Sequence, residues 1–182
     1  MAHEFTTSYL RDALALFRQY KRLAEHGMEQ VTDEQLLAVL DGEMNSIAVM
    51  VKHLAGNMRS RWTDFLISDG EKLDRKRDTE FENPPPTRTE LMTLWEEGWR
   101  RVFTALEPLS DVDLDRTVTI RGEPHSVMQA INRQIAHYAY HCGQIVFLAK
   151  HLQHKQWKSL SVPRGKSEEF NQRVATKEIS QR

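Results

Sequence analysis

His137 and His141 stand four residues apart in a stretch with helical periodicity, which stacks both imidazoles on one face about one turn apart. Neutral imidazole nitrogen is a good ligand for zinc, nickel, iron or copper, and one ion can bridge such a pair. His53 lies in a separate apolar run, beside Leu54 and on a face shared with Met50 and Asn57, so its side chain is expected towards or beside the interior. An unpaired imidazole there is costly. Coordination removes the cost if the second ring nitrogen bonds a carbonyl or side chain, and Gln134, Tyr138 and Gln144 are the candidate partners. Three histidine ligands leave positions on the ion open for water or substrate. The competing reading is a chance pair, exposed or hydrogen-bonded in the core.

Around this trio, Arg59 and Arg61 close the His53 run and Arg133 precedes His137 by one turn. Guanidinium groups beside an open metal can hold a carboxylate or a thiol-bearing substrate, although ion pairs from the first two to Asp64, Asp69 or Glu71 compete with that role. Asn57, Arg61, Arg133 and Gln134 form the candidate substrate-binding set. Cys142 follows His141 directly, but neighbouring helical residues project about 100° apart, so no Cys–His dyad forms and a small core residue is expected. Gly165-Lys166-Ser167 lacks the preceding glycine and strand of a phosphate loop and reads as a turn. No carboxylate stands on the helical face of the histidine pair, and Glu43 is nearly three turns from His53, which weighs against metal-assisted hydrolysis.

The elements that must position these residues are helices. From Glu4 to His26, apolar residues recur at three and four, with Gly27 as the expected cap. A second helix is expected from Thr32 or Asp33 to about Trp62, carrying Leu36, Leu37, Leu40, Met44, Ile47, Met50, Val51, Leu54 and Met58, and the short link makes it antiparallel to the first. Residues 63–87, with Pro84-Pro85-Pro86, break the pattern, and so long a connection is expected to cross a bundle or cover a site. A third helix runs from Thr87 or Thr89 to Pro108, and residues 115–125 suggest a small hairpin turning at Arg121-Gly122. Ser126 and Gln129 make a capping box that opens the fourth helix, ending near His154, and a polar tail follows. The expected class is all-α, as one domain over 1–182 with a tail over 156–182.

Composition sets the context. Hydrophobic residues at 40% and charged residues at 28% suit a globular chain, and 25 Lys and Arg against 26 Asp and Glu give no global field for nucleic acid. No run of about 18 apolar residues could span a bilayer, and Met1-Ala2-His3-Glu4 leads into a polar periodic segment, so no membrane association and a cytoplasmic location are expected. One cysteine allows no internal disulfide.

Three stretches carry a family resemblance: Asn45 to Asn57 with His53-Leu54-Ala55-Gly56-Asn57, Ser60-Arg61-Trp62-Thr63-Asp64-Phe65-Leu66, and Arg133 to Ile145 with His137-Tyr138-Ala139-Tyr140-His141. With the ending Pro163 to Asn171, they resemble the DinB/YfiT-like superfamily. The resemblance implies a four-helix bundle, up-down-down-up, with a long crossover between its second and third helices. It implies a divalent metal, zinc or nickel ahead of iron or manganese, on the positions of His53, His137 and His141, and a homodimer. Its characterised members include metal-dependent transferases that use low-molecular-weight thiols such as bacillithiol. Thiol transfer to a small-molecule substrate is therefore the leading expectation. A metal-dependent hydrolase and a non-catalytic metal-binding stress protein are the alternatives.

Overall fold

The computed structural model describes residues 5–179 and is predominantly helical, with one two-stranded antiparallel sheet. Helix α1 (Tyr9–Met28) begins where the Ser8 side chain accepts from the Arg11 N–H. The expected start at Glu4 lies outside the described residues. Gly27 does not cap the helix but sits inside it, buried, where a Cβ would lie 3.4 Å from Val146 Cγ2; it lets α1 approach its neighbour closely.

The expected second helix is broken in two. A short α2 (Asp33–Leu37) opens on a capping box from Thr32 and Gln35 and stops at Ala38, and α3 (Ile47–Trp62) begins anew with Ser46 as N-cap. Between them Asp41-Gly42 and Asn45-Ser46 favour turn and cap geometry over helix continuation. The apolar stripe extrapolated through this stretch is accordingly not buried: Leu37, Val39, Leu40 and Met44 are exposed.

The crossover at residues 63–87 is irregular apart from a 3-10 turn at Arg77–Phe81. It is tied down throughout. Gly70 N–H donates to the Thr119 carbonyl at 2.7 Å, the Asp69 carboxylate accepts from the backbone N–H groups of Arg121 and Gly122 at 2.8 Å, and Lys52 Nζ donates to the Thr79 carbonyl at 2.7 Å. Its Arg77–Phe81 turn lies on α3.

Helix α4 (Arg88–Leu106) starts at a Thr87 cap, as expected. The hairpin pairs β1 (Thr117–Ile120) with β2 (Glu123–Ser126), turning through Arg121 and Gly122, both at positive φ. Helix α5 (Val127–Gln153) opens on the Ser126–Gln129 capping box with both halves formed. The tail is not wholly irregular, since α6 (Ser167–Ala175) follows a turn in which Gly165 has φ 75°.

Helix α1 packs on α5 and α3 on α4, and α3 also meets α5. Their shared core is aromatic: Phe17, Trp62, Trp95, Trp99 and Tyr138 are buried in edge and tilted contacts. The Tyr138 hydroxyl accepts from Trp62 Nε1 at 2.8 Å and donates to Asn57 Oδ1 at 3.1 Å, which fixes α3 against α5 at the level of the histidines. Gly98 serves the α3–α4 contact, because a Cβ there would lie 3.2 Å from the Ala55 Cα and closer still to Met58 Sδ.

Candidate metal centre

Helix α3 carries His53, buried at 4% exposure, and α5 carries His137 and His141, both partly buried. The three rings converge through their Nε2 atoms. His137 Nε2 lies 3.4 Å from His53 Nε2 and 3.1 Å from His141 Nε2, and one ligand atom from each residue falls within 4.8 Å of the others. Two nitrogens bound at about 2.0–2.1 Å to one tetrahedral ion are about 3.3 Å apart, so the spacing suits a shared ion.

Protonation strengthens the fit. The Gln144 side-chain oxygen can only accept, so His141 donates its Nδ1–H to it at 2.8 Å and keeps a lone pair on Nε2. His53 likewise donates Nδ1–H to the Glu80 carboxylate at 2.9 Å. Two lone pairs are thus aimed at the Nε2 of His137, which can supply at most one proton between them. A cation at their meeting point resolves the conflict. The residues present therefore fit a divalent ion, and the outer nitrogens of His53 and His141 already have the partners that fix the tautomer a metal requires.

Glu80 is the main correction to the sequence reading, which found no carboxylate at the site. It arrives from the crossover, 27 residues after His53, where no periodicity announces it. Arg75 clamps it from the other side, with Nε at 2.8 Å and Nη2 at 2.9 Å. Burial pushes the Glu80 carboxyl up, but hydrogen bonds from His53 and Arg75 and the Arg75 charge outweigh this and hold it below the ordinary value. With its oxygens so engaged it orients His53 and is no free base. Phe81 completes the cover by stacking on the His53 ring at 4.7 Å. Gly56, one turn from His53, makes room: a Cβ there would lie 2.6 Å from Glu80 Cδ.

The other sequence candidates divide. Gln144 serves His141 as expected, whereas Tyr138 bonds Trp62 and Asn57, and the buried Gln134 has no partner for its side-chain oxygen. Arg61 is buried and bonds the Gly70 carbonyl and Glu71, the latter at 2.9 Å, while Arg59 pairs with Asp74. Asn57, Arg61, Arg133 and Gln134 nevertheless all border one pocket of about 460 Å³ that opens beside the three histidines. Arg75, Arg77, Phe81, Arg121 and Tyr140 border it too and escaped the sequence reading, because most of them come from the crossover and hairpin. Cys142 is buried, and burial pushes its thiol up to about 12, which suits a core residue and not a nucleophile.

Without metal the site carries a pH signature. Burial first, then the positive groups nearby, lowers His137 to about 3, and burial followed by the His53 charge lowers His141 to about 4. Both folded values lie below the ordinary value of 6.5, so the unfolded chain binds protons that the folded chain refuses. Stability is therefore full above about pH 6.5 and declines as pH falls through about 4 to about 3. In EDTA, the urea midpoint is expected to be lower at pH 5 than at pH 7.5. A His137→Ala/His141→Ala double variant should show a flatter dependence, and an equal dependence in both proteins would contradict the assignment.

A helical scaffold with a three-histidine cluster opening on a pocket defines a class of candidate metal proteins. Within it, residues 4–166 match the family described as "Protein of unknown function (DUF1572)", and the chain belongs to that family. No curated protein matches it. Among the described residues no helix is long and apolar enough to cross a membrane.

Proposed function

We propose that this chain is a DinB/YfiT-like metal-dependent enzyme that holds one divalent ion, zinc or nickel ahead of iron or manganese, on His53, His137 and His141 and transfers a low-molecular-weight thiol to an electrophilic small molecule. The observation that carries this reading is the convergence of three Nε2 atoms beside an open pocket. In the proposed architecture α1, α3, α4 and α5 form a four-helix bundle, up-down-down-up, in which the crossover lets α3 and α4 run parallel. The proposed working form is a cytoplasmic homodimer.

A divalent ion bound there supplies a Lewis acid that lowers the pKa of a thiol. The chain's own residues do the rest. Glu80 and Gln144 fix the ring orientations of His53 and His141, and Phe81 with its 3-10 turn shields the His53 side from water. Asn57 and Gln134 form a polar wall on which a substrate can be oriented, and Arg133 stands at the exposed edge. Among the described residues the cluster comprises three side chains, which favours an open ion over one closed by the protein. Hydrolysis is less well served, since Glu80 is fully engaged by His53 and Arg75.

The test is to incubate the metal-loaded chain with bacillithiol, mycothiol, coenzyme A or glutathione and a haloarene. Conjugation with at least one thiol, abolished by EDTA and restored by metal, is expected. No metal-dependent conjugation with any of them would remove this function.

A further inference from the structure

The pocket beside the histidines is bordered by five arginines, Arg61, Arg75, Arg77, Arg121 and Arg133, and by no aspartate or glutamate. Two carboxylates lie behind this wall. Glu71 accepts from Arg61 at 2.9 Å, from Arg75 at 3.2 Å and from Arg121 at 3.3 Å, and Glu80 accepts from Arg75 and His53. Three guanidinium groups thus share these two carboxylates, while the nearby Asp69 is engaged by the backbone N–H groups of Arg121 and Gly122. Arg77, also at the rim, lies over the Phe81 ring and makes among the described residues one ion pair, a 3.8 Å approach to the exposed Asp78. Arg133 is exposed and has neither ion pair nor hydrogen bond among the described residues.

The inner arginines are fixed in place. The side chains of Arg61 and Arg75 are 5% and 3% exposed, and the carboxylates behind them hold both guanidinium groups rigid. Gln134 adds a polar demand of its own: it is 3% exposed, it borders the same pocket, and its side-chain oxygen has no partner. Buried amides are normally satisfied, so one left open towards a cavity is a group that a ligand can complete. A volume of about 460 Å³ suits a small molecule and not a polymer.

We propose that this pocket selects a small oxyanion-bearing substrate, a carboxylate or a phosphate, whose charged group is held by Arg133, Arg121 and Arg77 while Gln134 meets its polar body. The proposal rests on the thiol-transfer reading in one respect: the end of the molecule facing the histidines is a thiol. Guanidinium groups suit either oxyanion, because they offer two parallel N–H donors to both.

Binding can be followed by titration calorimetry and, on the cobalt-loaded full chain, by the absorption band that a sulfur ligand gives. Mercaptosuccinate is expected to bind about tenfold more tightly than the neutral 1-thioglycerol at low salt, the effect of about one charge-assisted hydrogen bond. Added salt should narrow the gap. An Arg77→Gln/Arg133→Gln variant should close it at unchanged metal content, which is measured alongside because Arg77 lies over the Phe81 ring that covers His53. Succinate and inorganic phosphate, used as competitors, tell the two oxyanions apart by which displaces mercaptosuccinate better. If both thiols bind equally well, or if the preference survives in the variant as chelation by mercaptosuccinate would make it, the anion pocket is overturned and thiol transfer stands. If neither thiol produces the sulfur band while succinate or phosphate still binds through Arg77 and Arg133, thiol transfer falls and the anion pocket stands.

Discussion

His137→Ala is expected to reduce bound metal from about one ion per chain to a small fraction of that after gel filtration. His137 is the middle ring of the three, 3.4 Å from His53 Nε2 and 3.1 Å from His141 Nε2, so its loss leaves two nitrogens that no longer share a neighbour. Structural zinc sites with four ligands bind with about 10–16 kcal/mol, or about 3 kcal/mol per ligand, which corresponds to a loss of at least about 100-fold in affinity. Stability should follow. Metal at about 1,000 times its dissociation constant stabilises a folded chain by about 4 kcal/mol, which raises the melting temperature by about 8–16 °C for a chain of this size. Wild type should therefore melt lower in EDTA, whereas His137→Ala should melt at one temperature with or without metal. Unchanged metal content in this variant and in His141→Ala would remove the site.

Gly56→Ala is expected to be damaging although alanine is the better helix former. In an exposed helix the exchange would add up to about 1 kcal/mol. At this position the new Cβ would lie 2.6 Å from Glu80 Cδ, and the carboxylate cannot swing away without leaving both His53 and Arg75. Breaking a buried ion pair by displacing one partner costs about 3–5 kcal/mol, so a net loss of about 2–4 kcal/mol in EDTA is expected. Metal affinity should fall by about 10–100-fold, the usual consequence of disturbing the group that orients a ligand. Glu80→Gln separates the two effects: it introduces no clash, yet it removes the charge that holds the His53 Nδ1–H, so it should share the affinity loss. Urea denaturation and competition with a metal chelator measure the two quantities. A Gly56→Ala chain as stable as wild type with the same affinity would contradict this role for Glu80.

The histidine pair was readable because its geometry is local. Four residues within one continuous helix fix the relation of His137 to His141, and the Ser126–Gln129 capping box announces where that helix begins. The hairpin was readable for the same reason, since Arg121-Gly122 supplies the positive φ that its turn requires. His53 could be placed beside the interior from its apolar neighbours, but its approach to α5 is a tertiary contact.

Two errors have physical causes. The spacing of Leu37, Leu40 and Met44 predicts a helix through residues 38–46, yet Asp41-Gly42 and Ser46 offer the backbone turn and cap geometry instead, and those leucines stay exposed. Glu80 escaped notice because its position depends on the path of an aperiodic segment, fixed by contacts such as Lys52 to the Thr79 carbonyl and Arg75 to Glu80. Spacing rules describe helices and strands, and they are silent about which residue of a crossover meets a helix face. Gly56 becomes legible only after Glu80 is placed, because its lack of a side chain matters solely for what lies against it.

X-ray absorption on the zinc-loaded chain tests the central claim most directly. Three imidazole nitrogens at about 2.0–2.1 Å and a lighter shell from an exchangeable ligand are expected, and whatever zinc His53→Ala, His137→Ala and His141→Ala still bind in excess metal should have one imidazole fewer. A zinc ion with no imidazole shell, or one whose shell is unchanged in those variants, would contradict it.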